Sequence, residues 1–185
     1  MPAHRAPCSW ATSALLLTLN GMGFGLRPWF FSPSFLPSFF LLPFPMRLIV
    51  VQNGRLRDKH VEALRDEYVK RFARFGSLTI LEKEPKGDQS LWPASSRWRV
   101  LLDEHGETPT SVEFAHQLQK WTMTHGEVAF LLGDAFGHHA PSAALANARL
   151  ALGPMTLPHQ LAHLLVIEQL YRAATILAGT KYHHA

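Results

Sequence analysis

Apolar positions along the chain change their period from segment to segment, and each change marks an element. Leu48-Ile49-Val50-Val51 is a short unbroken apolar run of the kind that forms a buried strand, and Asn53-Gly54 ends it. Over residues 57–75, Val61, Leu64, Tyr68, Phe72 and Phe75 recur at spacings that draw one face of a helix, with Arg65, Asp66, Lys70 and Arg71 on the solvated side. Gly76 is expected to stop that helix. Leu78–Leu81 reads as a second strand, and 84–97 as a polar, mobile loop containing Pro and Gly. Trp98–Leu102 predicts a third strand ending in Asp103. Thr110-Ser111-Val112-Glu113 has the spacing of a capping box, in which hydroxyl and carboxylate each take the other's orphan amide. The helix behind it carries Phe114, Leu118 and Trp121 on one face and closes at His125-Gly126.

Val128–Leu132 is wholly apolar, as a strand buried on both faces of a parallel sheet must be. Gly133-Asp134-Ala135-Phe136-Gly137 follows at once. Pro141 opens a short helix, and Arg149–Leu152 reads as a brief strand. Thr156 is expected to cap the last helix, with Pro158 in its first turn and the end near Ala178-Gly179. The order β-α-β-β-α-β-α-β-α predicts an α/β fold, a mostly parallel sheet with helices on both faces.

Composition divides the chain. Residues 1–45 hold no Asp, Glu or Lys, yet 7 of the 13 prolines and 9 of the 20 aromatics. Their apolar runs are too short and too broken by proline to span a bilayer. The expectation is that this stretch is an extension outside the working protein, since Met46 is followed directly by strand-like sequence. A targeting or membrane-surface segment, or an ordered part of the fold, are the alternatives. The working domain is then 46–185, with 16 Lys+Arg against 14 Asp+Glu, a net charge of about +2. That is no polybasic nucleic-acid surface. The single cysteine, Cys8, excludes a disulfide within the chain and a cysteine-based zinc site. No metal is expected: the histidine pairs 138–139 and 183–184 are sequence neighbours, and His159 and His163 lack a third ligand.

Ligands in open α/β sheets bind beyond the carboxyl ends of the strands. Leu102-Asp103 and Gly133–Gly137 qualify by position. Leu152-Gly153-Pro154-Met155-Thr156-Leu157-Pro158-His159 is an uncharged loop where a polar one would be ordinary, and its main-chain groups suit a flat heteroaromatic ring. A tight turn and a rigid helix entry are the structural alternatives. Glu168 and Arg172 stand i,i+4 on an otherwise apolar helix, so one or both can face a pocket.

Met155-Thr156-Leu157-Pro158-His159-Gln160-Leu161, Glu168-Gln169-Leu170-Tyr171-Arg172-Ala173 and Tyr182-His183, with Met46–Val50 and Phe130–Gly133, resemble the ribosomal RNA large-subunit methyltransferase H family. These are SPOUT-class, S-adenosylmethionine-dependent enzymes. The resemblance covers essentially all of 46–185 and implies a C-terminal trefoil knot and a cytoplasmic homodimer with a shared active site. It also implies methylation of N3 of a pseudouridine in large-subunit ribosomal RNA on the assembled ribosome. By motif, the cofactor loops are Leu102, Gly133, and Gly153, Pro154, Met155, Thr156, Leu157 and Pro158. The catalytic or RNA-facing residues are Glu168, Arg172, Tyr182 and His183. Arg172 would stabilise negative charge or grip phosphate, Tyr182 stack on the base, and His183 accept the proton, the division between His183 and Glu168 being open. Departures are Asp134 for a second Gly, Gly153-Pro154 for a Ser-bearing pair, His163 for an Arg, Lys181 for a Pro, and a missing helix at 84–97. Two other readings remain: a ribosome- or RNA-binding factor of the same fold without cofactor binding, and a SPOUT methyltransferase with a different RNA target.

Overall fold

The computed structural model describes residues 45–133 and 137–184, so the expectations for the first 44 residues and for Asp134 fall outside the described residues. The elements run β1 (Met46–Asn53), α1 (Lys59–Phe72), β2 (Gly76–Lys83), β3 (Trp98–Glu107), α2 (Ser111–His125), β4 (Glu127–Leu132), α3 (Ala140–Ala143), β5 (Ala148–Leu150) and α4 (His159–Leu177). They form an α/β fold on a five-stranded sheet of order β2-β1-β4-β3-β5, parallel throughout.

Side chains alternate across this sheet with period two, and the two faces are covered very differently. Leu48, Val50, Val100, Val128 and Phe130 meet Phe72, Phe114, Leu118, Ile167 and Leu170 from α1, α2 and α4. Ile49, Val51, Leu101, Ala129 and Leu131 point the other way. Their cover is Leu91 and Trp92, both buried, with Ala143 of the single-turn α3 and Ala146. Residues 84–97 are therefore not simply a polar, mobile loop. The Leu91 amide donates to Ser142 Oγ at 2.9 Å, and the Trp92 indole donates to the Ser142 carbonyl at 2.7 Å. His139 Nε2 reaches the Gly87 carbonyl at 2.9 Å.

The capping box at Thr110 and Glu113 forms as the spacing predicts. Three local expectations are corrected. Gly76 does not stop α1, which ends at Phe72 with Ala73 as its cap; Gly76 opens β2, where a Cβ would run into the Met46 backbone. Thr156 caps nothing. Pro158 is itself the N-cap of α4, not a first-turn residue, and no side chain caps that helix, because Thr156 sits two residues upstream of the capping position. Nor does β3 end at Asp103: it continues through a register shift to Glu107, paired with Leu150.

Candidate functional site

β3 and β4 are neighbours whose following connections leave in opposite directions, β3 toward the sheet interior and β4 outward to β5. A crevice at the carboxyl ends is the geometric consequence. A cavity of about 410 Å³ lies there. Leu102, Gly133, Gly153, Met155, Thr156 and Leu157 line it, six of the eight residues expected in the cofactor loops. Pro154 and Pro158 shape the same loop without lining the cavity, and both are exposed or partly so. The two glycine turns, far apart in sequence, thus face one hollow.

Glycine is required at 133 for a specific reason: a Cβ there would stand 2.5 Å from the Gly137 carbonyl oxygen. Gly137 and Gly153 hold φ of +106° and +151°, with open space where a side chain would project, so main-chain groups are left accessible on both sides. Leu132, Leu150, Leu152 and Ala162 add apolar wall. Asp103 and Glu104 add carboxylates. Asp103 Oδ1 accepts the His105 amide at 3.0 Å, and Oδ2 accepts from Arg149 Nη1 at 2.6 Å. The amide bond first, then the His105 and Arg149 side chains, hold its carboxyl below the usual range against the opposing effect of burial.

The four predicted catalytic residues form a second constellation. Glu168 Oε1 accepts from Arg172 Nη2 at 2.6 Å, Arg172 Nε at 3.1 Å and Tyr182 OH at 3.0 Å. Its other oxygen accepts from Gln169 Nε2 at 2.7 Å. Arg172 Nη1 lies 3.4 Å from His183 Nδ1, and its guanidinium carbon 5.0 Å from the centre of the Tyr182 ring. The Glu168 hydrogen bonds raise the Arg172 pKa above its ordinary value, so this cation is permanent. Burial, then hydrogen bonds to Tyr68 and Glu168, push the Tyr182 phenol up and keep it protonated. Glu168, saturated by donors, is the anchor of the group rather than a free base. Because a guanidinium only donates, His183 Nδ1 is the acceptor in this geometry and Nε2 carries the ring proton.

None of these four residues lines the 410 Å³ cavity. The six lining residues share one cavity and the four predicted catalytic residues share one hydrogen-bonded cluster, with no residue common to both. Reading the sequence also missed two participants. Tyr68 OH lies 3.3 Å from Tyr182 OH, and the Tyr171 ring packs edge-on against Tyr182 at 4.8 Å. Both residues sit at ordinary core spacings, so periodicity carried no sign of this. Among the described residues, no group of three His, Cys, Asp or Glu is placed to hold a metal ion, and no helix is long and apolar enough to cross a membrane.

Comparisons with known proteins place the chain in a family. The family model described as "Predicted SPOUT methyltransferase" matches residues 46–183. Three similar proteins carry the name ribosomal RNA large subunit methyltransferase H. The one from a Synechococcus species is 38% identical over 144 residues, 76% of this chain and 99% of its own length. That from Sorangium cellulosum is 37% identical over 145 residues, 75% and 100%. That from Thermus thermophilus is 40% identical over 139 residues, 75% and 98%.

Proposed function

The chain belongs to the SPOUT methyltransferases, within the ribosomal RNA large subunit methyltransferase H family, and from that premise we propose that it methylates N3 of a pseudouridine in large-subunit ribosomal RNA, on the assembled ribosome in the cytoplasm, with S-adenosylmethionine as donor. The observation that carries the reading is the cavity between the two glycine turns. Its volume suits a small-molecule site. Its apolar wall and accessible main chain suit an adenine, and the Glu104 carboxylate suits a ligand bearing sulfonium and ammonium charges. When bound, the donor supplies an electrophilic methyl group on a good leaving group.

The protein's share is to place the acceptor nitrogen in line and to manage its proton. Arg172, held by Glu168 and Tyr182, aims a fixed positive charge at the anion that forms on the base as N3 loses its proton. Tyr182 offers a ring for stacking on an unstacked nucleotide. His183 can take the N3 proton on Nδ1 only after releasing Arg172 Nη1, the longest contact of the cluster. Substrate entry and that release are therefore one event in this scheme.

The absence of all four cluster residues from the cavity wall supports a homodimer in which each cavity is completed by the partner's cluster. Leu165 on α4 and Leu64 on α1 are 38% and 50% exposed, apolar positions suited to a second copy. The trefoil knot that the family implies would lie near the C-terminus, where residues of the 152–158 loop line the cavity.

Mapping modified nucleotides by mass in ribosomal RNA from cells with and without the protein tests the proposal. A single methylated pseudouridine that disappears with the gene is expected. An unchanged map, together with no heat of binding on titrating S-adenosylmethionine, would overturn it.

A further inference from the structure

Beside the cavity lies a groove of about 500 Å³ between the segment leaving β1 and the start of α4. Arg55, Arg57, His159 and Gln160 line it, with Val61 and Leu161 as its apolar part. His159 also lines the 410 Å³ cavity, so the two spaces share a wall. The geometry of the β1 exit explains the arginine pair. Residues 55–58 have no regular structure, and Leu56 is buried at 5% exposure, which pins the segment to the core. Its neighbours on either side both face the groove, about 7 Å apart in extended chain. That is the scale of one nucleotide step. Among the described residues, neither guanidinium has a hydrogen-bonding or ion-pair partner. The one carboxylate in the groove, Asp58, caps α1: its Oδ1 accepts the His60 amide at 2.8 Å and the Val61 amide at 3.4 Å, and it makes no ion pair with either arginine.

Two exposed guanidiniums on the rim of a groove, with no hydrogen-bonding partner among the described residues, leave their forks of donors open to an anion. The far wall adds donors, since the first α4 amide bonded to a backbone carbonyl is Ala162, and no acidic residue or side-chain cap occupies that helix start. We infer that this groove is the track for the phosphate backbone of the ribosomal RNA strand flanking the target nucleotide, with Arg55 and Arg57 each gripping one phosphate. The inference rests on the methyltransferase reading above for the identity of its RNA, and it adds a surface with its own chemistry. Arginine suits the task through its fork of donors, which matches phosphate oxygens in pairs. It also accounts for how a domain with a net charge of only about +2 engages RNA: the cations that matter are local and unpaired.

The test measures binding of the full chain to purified ribosomes across a salt series, for wild type, the double variant Arg55→Ala/Arg57→Ala, the double variant Arg55→Lys/Arg57→Lys, and Arg71→Ala as a control on the outer face of α1. The alanine pair should weaken binding about tenfold or more at moderate salt and lower the slope of log affinity against log salt by about two. Its S-adenosylmethionine titration should match wild type, which also shows that the variant is folded. The lysine pair should keep most of the slope, and Arg71→Ala should change nothing. An unaltered affinity and slope in the alanine pair, or a wild type that binds no ribosome, overturns the inference. A wild type that binds in an arginine-dependent way yet methylates nothing would leave the groove standing and sink the methyltransferase reading instead.

Discussion

Arg172 shows how much one side chain depends on its neighbours. Two of its nitrogens share a single Glu168 oxygen, and a third faces His183. A lysine offers a point charge without that fork. Arg172→Ala should retain donor binding by calorimetry while lowering methyl incorporation into ribosomes by about 10²-fold or more, the scale of losing one preorganised donor to a developing anion. Arg172→Lys should recover little. Activity near wild type in the alanine variant would remove Arg172 from the chemistry. His163 makes a different kind of statement. It is fully buried on α4, neither ring nitrogen has a hydrogen-bond partner, and burial first, then Arg65 of α1 and His159, pull its pKa down to about 4. The unfolded chain, with histidine near 6.5, binds the proton that the native state refuses. Stability should therefore be complete above about pH 6.5 and fall as the pH drops toward 4, by roughly 3 kcal/mol from this residue. Urea melts of wild type and His163→Leu between pH 4 and 7 check the sign: the variant's midpoint should vary less with pH. Such features are legible in sequence only as oddities. The resemblance flagged position 163 as a departure, but nothing in a histidine's neighbours along the chain announces burial.

At the scale of elements, periodicity served where one face is apolar and the other is not. It found all five strands, α1, and α2 with its capping box, because each signal is local. It failed where tertiary contact decides. Gly76 looked like a helix stop because glycine commonly is one; its real constraint, the Met46 backbone, lies far upstream in sequence and beside it in the sheet. The segment 84–97 looked merely polar because two apolar residues in such a stretch do not make a pattern. Yet Leu91 and Trp92, with Ala143 and Ala146, pack on the sheet face that carries Ile49, Val51, Leu101 and Leu131. Trp92 should thus behave as core. Trp92→Ala removes a buried indole and its hydrogen bond to Ser142, and should cost about 3–5 kcal/mol in chemical denaturation. Limited proteolysis should then cut within 84–97 before any other described loop. A loss under about 1 kcal/mol, the scale of an ordinary surface substitution, would mean that the segment only rests on the sheet.

For the whole molecule, the decisive relation is between two groups of residues, the cavity lining and the cluster, that have no residue in common. The cavity belongs to the strand ends and the 152–158 loop, while the Glu168–Arg172–Tyr182–His183 cluster belongs to the far half of α4 and the tail. Motif reading supplied both lists but no distance between them, because spacing along a chain carries no information on whether two sets face each other in one subunit or across two. Subunit mixing separates these cases. One protomer carries Arg172→Ala with its cavity intact; the other carries Ala162→Phe, which fills the cavity from α4 and leaves the cluster intact. Each homodimer alone should be inactive. If sites are completed across a two-fold axis, a mixed dimer joins one good cavity to one good cluster and pairs the two defects in the other site. With random exchange, half of the dimers are mixed and each has one working site, so the mixture should recover about a quarter of wild-type activity. If each chain uses its own cluster, every site in the mixture holds a defect and no activity returns. Refolding the two variants together at equal concentration and counting methyl groups transferred to ribosomes decides between these arrangements.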